Sequence, residues 1–348
     1  MKRLRLCIHQ LFHWEYWPMK VVYFPLLPFW LFLTLKSRSF FFFNAANPLI
    51  KNGGMAMESK NDIYEMMPEK HIPKTLFFTK ETAVHTILDR CRSKSIKLPF
   101  IIKPDIGMKG LGVSKITNQN ALKAYIKRAT TDYIVQEYID YPKEVGIFYV
   151  RLPHETKGKI TGIVGKEFLK VVGDGKKTLQ TLIEDIPRGC LQWKRLEKAH
   201  GDAMGQVLAK NEVLTLVPIG SHTLGAKFID LSHKNNTALA ARLNEICMAL
   251  PEFYYGRLDI KLTHLDDLAK GKNYSVIEVN GAGSEPTHIY DPKHSIFYAW
   301  KEICRHWVLL QKISQTNCNK GISYLSFKDG IAMLRNNEQL EKQLREVF

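Results

Sequence analysis

No two of the six cysteines form a CxxC pair; Cys7, Cys91, Cys190, Cys247, Cys304 and Cys318 are irregularly spaced. That pattern argues against a disulfide framework or a structural zinc site, and fits reduced thiols in a cytoplasmic compartment. Acidic residues are scarce: 34 Asp and Glu stand against 50 Lys and Arg, a net charge of +16. Such a balance favours polyanionic or phosphorylated partners. There is no zinc-finger or RNP-like aromatic motif, so no nucleic-acid partner is expected. The glycine-rich stretches lack the GK[ST] ending of a P-loop. What is present in ordinary measure is apolar content, 45% over 348 residues, enough for two or three compact units with a sizeable core.

The first fifty residues differ from the rest. Val21–Leu35 reads VVYFPLLPFWLFLTL without a charge, and Phe40–Phe43 adds an aromatic run. The run falls short of the ~20 residues of a spanning helix. Pro25 and Pro28 are expected to break or kink it. Basic flanks (Lys2, Arg3, Arg5; Lys36, Arg38) and Trp14, Trp17 and Trp30 suit a half-inserted, interfacial hairpin on anionic lipid. The competing reading is a helical hairpin packed on the soluble part. Ala45-Ala46 resembles a signal cleavage site, but the core before it is bulky and aromatic.

From about Pro73 the chain reads as a folded domain. Strands are expected at Leu98–Lys103, Val113–Ile116, Tyr133–Ile139, Gly146–Arg151, Lys159–Val172, Tyr255–Lys261 and Tyr274–Val279. Helices are expected at Ala83–Cys91, Asn120–Ala129, Leu179–Ile183, Leu191–Leu208, Asn236–Leu250 and Phe297–Leu310, with a short charged helix at Asn336–Phe348.

Two segments carry the most chemistry, YYGRLDIK (Tyr254–Lys261) and YSVIEVNGAGSEP (Tyr274–Pro286). Residues two apart on a strand share a face, so Glu278 and Asn280 project together. If the strands pair antiparallel, Asp259 faces them. Two carboxylates and an amide oxygen are hard ligands of the kind Mg²⁺ takes. Acids in such apolar runs are costly to bury without a cation. Arg257 shares the Asp259 face, either to neutralise it or to stabilise phosphoryl charge. In FIIKPDIGMKGLGVSKI (Phe100–Ile116) a strand delivers Lys103, and Gly107, Gly110 and Gly112 line a loop whose amides can approach phosphate. A strand follows, which rules out a Rossmann fingerprint. His222 and Lys227 flank a glycine turn; His222 is either a substrate contact or a structural histidine. Lys176 and Lys177 read as a solvated turn, and His288 and His294 as lining at best.

In their order these segments resemble the ATP-grasp superfamily, closest to the D-alanine–D-alanine ligase and cyanophycin-synthetase-like branches. VVGDGKKTLQTLI (Val171–Ile183) is similar to a stretch of the latter. The resemblance covers about Lys60 to Leu310. It implies an α+β fold of two subdomains with antiparallel sheets closing over ATP. It divides the chain into a leader (1–56), an N-terminal subdomain with the glycine loop (57–150), a C-terminal subdomain with the metal site (151–312) and a tail (313–348). It implies that Lys60, Lys103, Gly107, Gly110 and Gly112 hold phosphates. The segment with Gln136, Glu137 and Ile139 holds adenine, and Glu144 the ribose. Asp259, Glu278 and Asn280 would hold Mg²⁺, or Mn²⁺ in its place, and Arg257 and Lys103 would act on the transferring phosphoryl group.

The function implied is ATP-dependent ligation of a small or peptide-like carboxylate to an amine or thiol through an acyl phosphate, on the inner face of the cell membrane. The alternative is a membrane-associated ATP-binding protein that has lost ligation. The chain departs from D-Ala ligases in having the aromatic leader where they carry a substrate-holding domain. It has Gly281-Ala282-Gly283-Ser284-Glu285 where they have a Ser-Pro-Gly stretch that receives a carboxylate. An acid at Glu285 suits an amine or hydroxyl better.

Overall fold

The computed structural model describes residues 2–348, the side chains of Lys2, Arg3, Leu4, Arg5 and Cys7 lying outside those described. Eleven strands are described: β1 (Thr75–Phe78), β2 (Phe100–Pro104), β3 (Ser114–Ile116), β4 (Tyr133–Glu137), β5 (Lys143–Val150), β6 (Lys159–Glu167), β7 (Leu169–Val172), β8 (Val213–Val217), β9 (Lys227–Asp230), β10 (Tyr255–Leu262) and β11 (Tyr274–Asn280). They form a four-stranded sheet in the order β1-β4-β2-β3, a five-stranded sheet in the order β11-β10-β5-β6-β9, and a β7-β8 pair. Every pairing is antiparallel. The fold is α+β.

The small sheet buries Phe100, Ile102, Tyr133 and Val135 against the helices Val84–Ser93 and Gln119–Arg128. In the large sheet Ile147, Leu258, Ile260 and Val276 face the helix Thr237–Met248. Side-chain caps mark where the helices start. Asn118, Asn236, Ser295 and Ser326 each accept a backbone N–H from the first turn, satisfying donors that no helical carbonyl can reach.

Four sequence expectations shift. β5, placed before the subdomain boundary at residue 150, pairs with β6 and β10 and belongs to the large sheet. The single helix expected over Leu191–Leu208 is broken into Pro187–Leu191, Trp193–His200 and a 3₁₀ turn Gly201–Ala203. These pieces pack on β7-β8 as a small third core. The amphipathic helix expected to stop at Leu310 runs on as Ile296–Asn319, so it crosses the proposed tail boundary at 313. The short charged helix is the end of a 21-residue helix, Phe327–Val347. Phe41 of the leader lies where a Cβ on Gly330 of that helix would stand, 2.3 Å away. At the other end Phe348 packs against Tyr125 of the small-sheet core.

The leader is folded onto the large sheet. Residues Met19–Ser37 are helical throughout, with a 3₁₀ turn at Phe24–Leu26 around Pro25. The prolines fall in first turns, where the missing N–H costs nothing, so they bend the helix without breaking it. The tryptophans assigned to a headgroup layer face protein. Trp14 is 8% exposed and donates to the His294 carbonyl, and Trp30 packs against Phe42 and Trp307. One face of the leader stays apolar and open, with Phe12, Phe24 and Leu35 each more than 70% exposed.

Asn47 fastens leader to sheet. It is fully buried; its Nδ2 donates to the carbonyls of Gly53 and Tyr255, and its Oδ1 accepts from the N–H groups of Tyr254 and Tyr255. Gly53 and Gly54, at φ +66° and +75°, then lie so close to Asn44 and Gly281 that no side chain fits. Asn47→Ala removes the side-chain half of four buried bonds and leaves backbone groups unpaired. It is expected to cost about 2–4 kcal/mol, read as a fall in denaturation midpoint with an unchanged far-UV spectrum.

Candidate active site

Between the two sheets lies a cavity of about 860 Å³. It owes its charge to β10 and β11. Their register sets Asp259 opposite Glu278 and Arg257 opposite Asn280, as the spacing of the two segments suggested. A bulge between Asp259 and Ile260 leaves Ile277 out of the ladder. Its freed carbonyl accepts from Lys103 Nζ at 3.0 Å and from the Tyr64 hydroxyl. Lys103 is thereby drawn from the small sheet across to the large one, and burial lowers its pKa.

Asp259 is 4% exposed. Arg257 Nε stands 2.9 Å from its Oδ1 and Lys166 Nζ 3.0 Å from its Oδ2. Burial alone would raise its pKa; the pull of Arg257 and Lys166 outweighs that and holds it at about 2. Lys166, on β6, is the functional residue that sequence reasoning missed. It also bonds Glu144 Oε1 at 2.8 Å, and burial is more than offset by the two carboxylates, so it stays charged. The signal available was a lone lysine in an Ile-Val-Gly-Lys-Glu strand, which no spacing rule distinguishes.

The remaining expected residues divide into two groups. Lys60 lines the cavity, donates to the Gly107 carbonyl at 2.9 Å, and lies 4.0 Å from Glu278. Gly107 and Gly110 line it too. Gly112 does not: at φ +71° it packs under Pro104 and Phe348, so it shapes the loop from behind. Lys109 of that loop is tied to Glu341 at 2.9 Å. Gln136 sits mid-ladder in β4, paired with both β1 and β2, and its Nε2 donates to Thr75 Oγ1. β4 ends at Glu137, and Tyr138 and Ile139 line the cavity beyond the ladder. Glu144 lines the cavity with one oxygen held by Lys166. Lys227 is exposed and off the cavity, as are Lys176 and Lys177. His288 is buried beside Glu302, a structural position.

Asp259, Glu278 and Asn280 carry oxygens of the kind a divalent cation takes and line the cavity together; the buried Asn280 Nδ2 has no hydrogen-bond partner, so no bond at nitrogen fixes the orientation of that amide. Among the described residues no three His, Cys, Asp or Glu side chains converge on one point; the set counts on the Asn280 amide and on Asp259 exchanging a cationic partner.

The opposite wall comes from the leader. Glu15, Trp17 and Met19 line the cavity together with Glu285, Thr287 and Tyr290. Glu15 pairs with Arg188 at 2.7 Å, and His222 Nε2 lies 3.8 Å from it.

No protein-family model matches the chain, and no curated protein matches it. Solved structures are similar to it. A bifunctional glutathione synthetase from Pasteurella multocida is 17% identical, over 70% of this chain and 36% of that one, with a TM-score of 0.36. D-Alanine–D-alanine ligase from Bacillus anthracis is 15% identical, over 79% and 72%, at 0.46. VanG D-Ala:D-Ser ligase from Enterococcus faecalis is 14% identical, over 75% and 62%, at 0.43. The chain thus spans about a third of the Pasteurella enzyme's length.

Because Asp259 titrates at about 2 when folded and near 3.8 otherwise, the unfolded chain binds the extra proton between those values. Its contribution is complete above that window and lost as pH falls through it. Glu302, at about 2 from 4.5, adds to the same loss. Denaturation followed from pH 6 to 2 is therefore expected to show falling stability below about pH 4, with a shallower fall in Asp259→Asn at the same ionic strength.

Proposed function

We propose that the chain is an ATP-dependent carboxylate–amine ligase. The observation that carries this is the gathering of Lys60, Lys103, Lys166 and Arg257 around Asp259 and Glu278 at one end of a cavity between two antiparallel sheets. Four cations beside two acids and an amide form a site for a triphosphate with its metal. Adenine would lie at the other end, against the backbone of Tyr138 and Ile139 where β4 leaves its ladder.

Asp259, Glu278 and Asn280 would hold Mg²⁺, which would supply a Lewis acid to neutralise phosphate charge. Lys103 and Lys60 orient the triphosphate, with the amides around Gly107 and Gly110 closing over it. A substrate carboxylate oxygen attacks the γ-phosphorus, ADP leaves, and Arg257 and Lys166 stabilise the transferring group. An amine then attacks the acyl phosphate and phosphate departs. A thiol would follow the same course.

We also infer that the open leader face docks on the cytoplasmic membrane surface. Phe24, Phe32 and Leu35 are 72%, 57% and 77% exposed on one helical stretch, Met19–Ser37, which is 19 residues long and apolar enough to cross a membrane by length and composition. Its other side packs on the enzyme, so shallow seating suits it better than crossing, and exposed Lys20, Lys36 and Arg38 would meet anionic headgroups.

Lys103→Ala is expected to lower ATP turnover at least about 100-fold, and Lys176→Ala to leave it unchanged. Glu278→Gln should abolish turnover in a folded protein. Equal behaviour of the two lysine variants, or near-normal turnover in Glu278→Gln with Mg²⁺, rejects the ligase reading. For the membrane, the full chain should co-sediment with vesicles containing phosphatidylserine. The triple change Phe24→Ser, Phe32→Ser, Leu35→Ser should stay in the supernatant with its turnover intact. Equal sedimentation of both, or none of the unaltered chain, rejects the docking face.

A further inference from the structure

The cavity is electrically divided. Four of its cations, Lys60, Lys103, Lys166 and Arg257, collect about Asp259 and Glu278, and Lys109, Lys115 and Lys261 line it elsewhere, whereas Glu15, Trp17, Met19, Glu285, Thr287 and Tyr290 bring carboxylates and aromatic rings and no lysine or arginine. One of those carboxylates, Glu285, has no cationic partner at its side-chain oxygens. Glu285 accepts from the hydroxyls of Tyr23 and Tyr290, neutral donors both. Burial and Glu285 itself push both phenols well above their ordinary pKa, so they remain donors. Glu58 lies nearer Lys60 and Glu278; its buried Oε2 has no hydrogen-bond partner, and burial raises its pKa, so it does not belong to this wall. Beside Glu285, Thr287 is 8% exposed, lines the cavity, and has no hydrogen-bond partner for its hydroxyl. A built polar wall with unspent acceptors is a wall made for a ligand that donates.

The same wall has little for an anion. The amides of Ala282 and Gly283 donate to the carbonyls of Gly53 and Gly54, so the turn after Asn280 has spent them on the leader. Ser284 Oγ donates to the Gly281 carbonyl. Arg257 is held by Asp259 and reaches only the backbone oxygen of Glu285. Glu15 takes up the charge of Arg188 and faces His222. A carboxylate entering here would meet Glu285, and the cation beside it, Arg257, is already held by Asp259.

We propose that this wall receives the nucleophile, and that the nucleophile is an amine with no carboxylate on the same carbon. Its ammonium sits at Glu285 and Thr287, and its carbon skeleton lies against Trp17, Met19 and Tyr290. Amines, diamines, and the amino ends of peptides or amino sugars meet that requirement; free α-amino acids do not. The proposal rests on the ligase reading for its reaction, but its geometry gives the leader a further role as one side of the substrate pocket.

The test uses the full chain saturated with Mg²⁺ and a non-hydrolysable ATP analogue, titrated calorimetrically with matched pairs: ethylamine against alanine, and cadaverine against lysine. Each amine is expected to bind at least about 10-fold more tightly than its amino acid. Glu285→Gln should weaken amine binding by a similar factor and leave the nucleotide affinity unchanged, an outcome that a merely structural role would not give. Equal or tighter binding of the amino acids overturns the proposal, as does failure of both amines to bind a protein that does bind the nucleotide. Failure to bind the nucleotide rejects the ligase reading instead. Should Glu285→Gln not fold, the paired titrations of the unaltered chain decide alone.

Discussion

Asp259 is the charge around which the site is organised. A carboxylate buried to this depth needs cations, and it has two, Arg257 from its own strand and Lys166 from β6. Breaking such a pair costs about 3–5 kcal/mol, because the partner is left charged and dry. Lys166 in turn binds Glu144 of β5, so three strands of the large sheet are joined by one ionic network at the floor of the cavity. The network is self-neutralising, two cations set against two carboxylates.

The second constraint is the attachment of the leader. Asn47 bonds to the start of β10 and to the Gly53 carbonyl, and the glycine pair then bonds to the turn after β11. This places the first part of the chain beside the turn that follows Asn280. The leader's aromatic content is spent on that packing: Phe41, Phe42 and Phe43 fill a core with Phe148 and Tyr255. Only the outward side remains for a lipid surface. The helix Phe327–Val347 completes the arrangement, running from Phe41 to the core of the small sheet and touching the glycine loop through Glu341 on the way.

Much was legible beforehand, for physical reasons that apply residue by residue. The alternation in GRLDIK and VIEVN put Arg257 with Asp259 and Glu278 with Asn280, because strand geometry has a period of two. The lysine of FIIKP pointed to the cavity because a buried lysine needs partners. Boundaries failed where a run of similar residues continued past a change of partner: β5 reads like the strands before it, and only pairing assigns it to the large sheet.

The sequence by itself determined the alternating strands, the acids that must find cations, the glycines that permit close approach, and the apolar surplus of the leader. Each is a property of a residue and its near neighbours. Tertiary structure alone decided which lysine answers Asp259, that the carbonyl of Ile277 is freed by a bulge, and that Gly112 supports the loop from behind. It also decided that the leader's tryptophans face protein and that Glu15, over two hundred residues away in sequence, shares a wall with Glu285. These depend on which distant segments meet, and burial free energy, being non-directional, leaves that choice to the packing of the whole chain.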